Sequence, residues 1–207
     1  MTNEMYRRIL MTVGGVLICG FSVGMFNFSG FGMDPFQVFA HGIWGHLPFS
    51  YGPVYTVINL ILLVFMFISD RSKIGLGTLI NLFLLGYVVE FSSNLWAGLF
   101  PQTSLVLRAL FLCAAIVIMC IGSALYFTAD LGVSTYDAIA LTLSQKKGWP
   151  FRFVRITTDA VCTLSGYLLG AAVGIGTLVT AFFMGPLIEF FNRTIAEPLR
   201  YGKRKAA

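Results

Sequence analysis

Gly30-Phe31-Gly32-Met33-Asp34-Pro35-Phe36 interrupts a long apolar run, and one hundred residues later the chain repeats it as Asp130-Leu131-Gly132-Val133-Ser134-Thr135-Tyr136. Gly32 matches Gly132, Asp34 matches Ser134 and Phe36 matches Tyr136. Downstream, Gly75-Leu76-Gly77-Thr78-Leu79 returns 99 residues on as Gly174-Ile175-Gly176-Thr177-Leu178. Gly86, Glu90 and Phe91 return as Gly185, Glu189 and Phe190. A self-similarity of this length has to be read before any single element, because it says that one structural unit has been written twice.

The chain has 207 residues, of which 57% are hydrophobic and 11% charged. Soluble domains carry about 25% charged residues. Apolar stretches near the ~20 residues needed to cross a bilayer recur along the chain. These features predict a multi-pass membrane protein. The net charge of +5 does not indicate nucleic-acid binding, because the charges sit between the apolar stretches. Cys19, Cys113, Cys120 and Cys162 lie inside apolar runs without C-x-x-C spacing, so they read as small buried hydrophobes. Arg7-Arg8 ahead of an apolar run resembles a signal peptide. The run is too long and lacks a small-x-small cleavage site, which predicts an uncleaved first span.

Six spans are expected, at about Ile9–Phe28, Pro53–Ile68, Ile74–Leu95, Leu105–Phe127, Phe153–Leu169 and Ile175–Phe191. In the first, Gly20-x-x-x-Gly24 offers a face for close helix packing. A short helix should follow each break. Asp34 suits the N-cap, Pro35 the first helical position and Gln37 the third, where a capping box places its second partner. Ser134 and Asp137 repeat that pattern. At roughly a dozen residues neither helix can span a bilayer, so each dips in and returns or lies in the interface.

Cationic side chains set the orientation. With the N-terminus in the cytoplasm, Arg7, Arg8, Arg71, Lys73, Lys146, Lys147, Arg152, Arg155, Arg193, Arg200, Lys203, Arg204 and Lys205 all fall inside. That is 13 of the 14 Lys and Arg residues, and only Arg108 falls outside. Trp44, Trp96 and Trp149 lie near span ends, as interfacial anchors do. Three crossings per repeat place the second copy upside down relative to the first. The expected fold is therefore an all-α polytopic membrane protein: six transmembrane helices in two inverted three-helix repeats, each with a short re-entrant or interfacial helix. It forms a single transmembrane domain, with repeat one over about 9–98, repeat two over about 109–197 and a basic tail over 198–207 in the cytoplasm. The expected location is a bacterial plasma (inner) membrane with both termini cytoplasmic.

The glycine-led element after the first span, the later Gly-x-Gly-Thr-Leu and the Trp149-Pro150-Phe151-Arg152-x-x-Arg155 approach to the fifth span resemble the bacterial YczE/YitT-type integral membrane proteins. The YczE-like members are the nearer of the two. The resemblance runs from Ile9 to about Arg193. It implies a multi-pass bacterial membrane protein and an expected role in transport, and it carries over no site residues.

Candidate site residues follow from the repeat. Gly32, Asp34 and Gln37 of the first break, with Gly132, Ser134 and Asp137 of the second, would surround one polar cavity if the helix starts meet. The exposed N–H groups of interrupted helices coordinate solutes in many transporters. If both helices only lay in the interface, these residues would cap helices about 30 Å apart. Asn59 and Asp159, at matching places in the neighbouring spans, would complete the cavity. Asp159 lies four residues after Arg155 and can also be read as half of a structural ion pair. An intramembrane carboxylate is a functional candidate by default. Glu90 and Glu189 sit at equivalent places near span ends, either snorkelling to the headgroups or coupling transport to a cation. Gly86 and Gly185 are expected at tight helix contacts.

His41 and His46 lack H-E-x-x-H spacing, and the glycine pairs lack the Gly-Lys-Ser of a phosphate loop, so neither metal nor cofactor is expected. No nucleophile and base pair stands out, so no enzymatic activity is expected. The sequence points to a secondary transporter of a small polar solute, with alternating access between two inverted repeats. The alternatives are a non-transporting membrane subunit or accessory protein, such as the substrate-binding partner of a larger transport complex, or a channel. The expected partners are the lipid bilayer and an unidentified small solute, with homo-oligomerisation open.

Overall fold

The structure is a computed structural model that describes residues 3–71, 74–102 and 104–202, without the side chains of 151 and 152. Lys73, Lys203, Arg204 and Lys205, used above to set orientation, lie outside the described residues. The chain forms α1 (Asn3–Ser29), α2 (Pro35–Trp44), α3 (Tyr51–Ser69), α4 (Leu76–Leu99), α5 (Leu105–Ala129), α6 (Thr135–Lys147), α7 (Phe151–Leu168) and α8 (Ile175–Phe191). A π-helical turn, Asn192–Ala196, and a last short helix, α9 (Glu197–Tyr201), continue α8. No strand occurs among the described residues. The helix bounds match the sequence expectations within a few residues, apart from α1, which starts six residues before Ile9.

Five of these helical stretches are long and apolar enough to cross a membrane: α1, α3, α4, α5, and α8 with its continuation to Tyr201. The expected span at α7 is not among them. Its 18 residues carry Arg152, Arg155 and Asp159, which lower its apolar character.

α1 and α5 form an antiparallel central pair, packed through small residues as membrane helices require. A methyl group on Gly15 would stand 2.8 Å from the Gly122 carbonyl oxygen. The Ser22 hydroxyl donates to the Ala115 carbonyl at 2.7 Å. α4 lies along the other flank of α1, where Gly20 admits Val88 and Gly24 admits Ser92. The Gly20-x-x-x-Gly24 face thus serves α4. α2 and α6 are the short helices. α2 packs chiefly on α7, α6 on α3 and α7, and α8 on α5.

The contacts pair up across the repeat. At one end of the bundle the Arg8 Nε donates to the Ala129 carbonyl at 2.8 Å. At the other end Arg108 Nε donates to the Ser29 carbonyl at 2.6 Å. Each arginine caps the last turn of the opposite central helix, where carbonyls lack helical partners. Arg108, the lone cation expected outside, thus has a structural task that mirrors Arg8. Asp130, with φ 53°, also takes an ion pair from Arg8 at 3.4 Å and another from Arg200 at 3.5 Å.

Candidate functional site

The two breaks leave the central helices at opposite ends and return towards the middle. Residues 30–34 and 130–134 form no helix. Each break is held by the last helix of the other repeat. The Gly176 N–H donates to the Phe31 carbonyl at 2.8 Å, and the Gly77 N–H donates to the Leu131 carbonyl at 2.7 Å. The approach is close enough to demand glycine. A methyl group on Gly32, at φ +93°, would meet the Gly174 nitrogen at 2.6 Å. On Gly132, at φ +105°, it would meet the Gly75 nitrogen at 2.7 Å. Thr78 Oγ1 accepts from the Gly75 N–H and donates to the Val133 carbonyl at 2.7 Å, which locks the second dock.

Arg8 and Ser29 mark the two ends of the α1/α5 pair, about 30 Å apart at 1.5 Å per residue. From these opposite ends the breaks, which turn through positive φ at Gly30, Gly32, Asp130 and Gly132, bring the first turns of the two short helices into contact. Phe36 and Tyr136, equivalent residues of the two repeats, stack with ring centroids 4.9 Å apart and planes 15° from parallel. Both short helices pack on α3 and on α7.

Local capping follows the sequence in part. Asp34 Oδ1 accepts from the Gln37 N–H at 3.0 Å, and Ser134 Oγ accepts from the Asp137 N–H at 3.1 Å. The second half of each box is redirected. The Gln37 side chain accepts from the Tyr51 hydroxyl instead. Asp137 accepts from the Ser134 hydroxyl at 2.7 Å and forms an ion pair with Arg155. Arg155 also pairs with Asp159 at 3.3 Å and lies 4.6 Å from the Tyr136 ring centroid. The Tyr136 hydroxyl donates to Asp159 Oδ1 at 2.6 Å, and Thr135 donates to Asn59 Oδ1 at 2.6 Å.

Of the candidates, Ser134, Asp137, Asn59 and Asp159 are thus brought together around α6. Asp34 caps α2 nearby, within reach of the Arg155, Asp159 and Asp137 charges. Gln37 lies one turn further along α2, buried against Tyr51. Gly32 and Gly132 shape the docks against Gly174 and Gly75. Glu90 and Glu189 stand apart from this cluster and from each other. The Glu90 carboxylate accepts from the Gly52 N–H at 2.8 Å, at the start of α3. Glu189 is exposed and paired with Arg193.

Sequence reasoning missed Arg155 and Tyr136 as the centre of this network, although Arg155 was noted as a partner of Asp159. Tyr136 was legible as the repeat partner of Phe36, and only its hydroxyl distinguishes it. The cluster sets three carboxylates, Asp34, Asp137 and Asp159, against one guanidinium, Arg155. Buried carboxylates are tolerated only where charges and hydrogen bonds compensate them, and here one cation serves two of them directly. A positively charged or proton-bearing ligand suits this balance better than an anion.

The expectation that Gly86 and Gly185 both sit at tight contacts holds for one of them. A methyl group on Gly86 would meet Tyr55 Cβ at 2.9 Å and the Gly52 carbonyl oxygen at 3.0 Å. On Gly185 it would meet no described atom within 4 Å. The facing helices differ in closeness: α3 packs tightly along α4, whereas α7 and α8 touch only sparsely.

Among known proteins, an uncharacterized protein of Haemophilus influenzae is 29% identical over 192 residues, covering 92% of this chain and 86% of its own. The uncharacterized membrane protein YczE of Bacillus subtilis is 24% identical over 211 residues, covering 100% and 96%. The uncharacterized protein YyaS of the same organism is 25% identical over 181 residues, covering 86% and 88%. No solved structure matches. The YczE-like resemblance read from the glycine motifs therefore holds over the full chain, and the chain is a membrane protein. Residues 6–193 match the family of unknown function DUF6198, and the chain belongs to that family.

Proposed function

We propose that this protein is a secondary transporter of a small solute, working by alternating access between two inverted repeats. One observation carries the reading: Phe36 and Tyr136, equivalent residues at the starts of two half-helices, stack on each other beside a buried polar cluster. Interrupted helices whose N-termini meet at a repeat interface are a recurring plan for solute sites. Irregular backbone at membrane depth persists where protein or water satisfies its polar groups, and the two docks supply those partners for residues 30–34 and 130–134. On this reading α7 is the sixth crossing, its charges turned towards the cluster rather than to lipid, and residues 9–197 form one membrane domain. The N- and C-termini both face the cytoplasm of a bacterial inner membrane. No covalent chemistry, cofactor or nucleic acid belongs to this mechanism.

Purified protein alone in proteoliposomes is expected to move a solute under a proton or sodium gradient. Asp34→Asn and Asp137→Asn are each expected to reduce that flux while the protein remains folded. Flux that survives both substitutions unchanged removes the cluster from the transport path. In whole cells, a cysteine near Lys146 is expected to react only with permeant reagents and one near His46 with impermeant ones. Labelling of both from outside excludes the inverted topology.

A further inference from the structure

The α7/α8 seam is open where its repeat equivalent is closed. A groove of about 490 Å³ runs between the two helices, within the range of small-molecule sites. It is lined by one face of α7, including Ile156, Leu164 and Tyr167, and by Leu178 and Phe182 of α8. These walls are apolar. The polar exceptions are the Tyr167 hydroxyl, Thr163, Thr177 and one carboxylate, Asp159, which is 4% exposed. Asp159 receives Tyr136 and Arg155 on Oδ1, so Oδ2 carries no hydrogen bond among the described residues. Arg155 is shared with Asp137, so with both carboxylates ionised the trio of Asp137, Arg155 and Asp159 carries one negative charge in excess. An apolar trough ending on a carboxylate in the hydrocarbon region selects for a molecule with an apolar body and one positive charge. Lipid tails would fill the trough but leave the carboxylate without a counter-charge, and in a low dielectric that charge pair is strong.

We propose that the α7/α8 groove binds a lipophilic organic cation, its body between the two helices and its charge against Asp159. This rests on the transport reading and narrows it, since the groove gives such a molecule access to the cluster from within the bilayer.

The test uses the full-length protein in detergent and in nanodiscs, with tetraphenylphosphonium as the probe and triphenylphosphine oxide as the neutral control. Saturable binding of one cation per chain, with a raised melting temperature, is expected. The neutral control is expected to bind at least tenfold more weakly. Asp159→Asn is expected to weaken cation binding tenfold or more. Ala181→Trp, which fills the groove from α8 outside the polar cluster, is expected to abolish binding and so tests the site even where Asp159→Asn fails to fold. Equal binding of the neutral analogue, or unchanged binding by Ala181→Trp, overturns the inference. Flux of another solute by a protein that does not bind the cation also overturns it and leaves the transport reading standing. Cation binding that obeys both variants, in a protein that moves nothing, supports the site and removes the transport reading instead.

Discussion

At the α3/α4 seam, Gly86 receives the Tyr55 side chain, and Glu90 reaches across to cap the first turn of α3. At the α7/α8 seam, Gly185 faces no described atom within 4 Å, and Glu189 turns to Arg193 on its own helix. The same residue types occupy the same places in the repeat and have different partners. The docks teach the opposite lesson. Gly32 on Gly174 and Gly132 on Gly75 are near copies of one another. Both docks use the same glycines and the same threonine, Thr78 or Thr177, so duplication preserves them. A seam depends on both faces, and α7 packs on α8 far less closely than α3 on α4.

The largest effects are expected where the halves agree. Gly32→Ala and Gly132→Ala each force a side chain into positive φ and into a backbone nitrogen. Positive-φ strain and overpacking together are expected to lower stability by roughly 3 kcal/mol or more. Melting in detergent should show both variants falling by similar amounts, and a large difference would end the equivalence of the docks.

Gly86→Leu and Gly185→Leu then separate the seams. The first is expected to cost about 1–3 kcal/mol by overpacking, and the second less than about 0.5 kcal/mol, as an open surface position. Equal losses would mean that α8 closes on α7 in solution. Replacement of Arg108 or Arg8 by Gln removes a charged donor from a helix-end carbonyl, worth about 1.5–3 kcal/mol. Arg8→Gln is expected to be the milder because Arg200 also reaches this end of α5, bonding the Thr128 carbonyl; a milder Arg108→Gln would refute the proposed sharing. The smallest contrast is Glu90→Ala against Glu189→Ala. Loss of the α3 cap should cost about 1 kcal/mol, and loss of the exposed Glu189–Arg193 pair close to nothing. A larger loss at Glu189 would refute the exposed pair as its only role.

What could be read from the sequence was local or duplicated. Asp34 and Ser134 cap their helices because N-capping is settled within three residues, and the repeat located both breaks. The apolar runs locate the helices to within a few residues, but only length and position mark α7 as a span, and its charged residues do not support that by composition. The docks, the Arg8 and Arg108 caps and the Tyr136–Asp159 bond join residues far apart in the chain, and no local preference encodes them. One signal was available. Arg8 and Arg108 are one hundred residues apart, the spacing of the repeat, so the odd cation outside could have been paired with its counterpart. A glycine does not encode a tight contact by itself, because the facing helix decides it, as Gly86 and Gly185 show.

The reciprocal docks also govern how the chain can be made. The carbonyl of Phe31 has its partner in Gly176, and the break around Gly32 rests on Gly174. While the ribosome is still extending the first repeat, that partner does not exist. On the proposed topology the returning segment would lie at depth with its polar groups unmet, so α2 is expected to settle only once α8 has been inserted. Contacts so distant in sequence form late and slowly. The first repeat is accordingly an incomplete product during synthesis, and its short helix takes its place only when the last helix arrives.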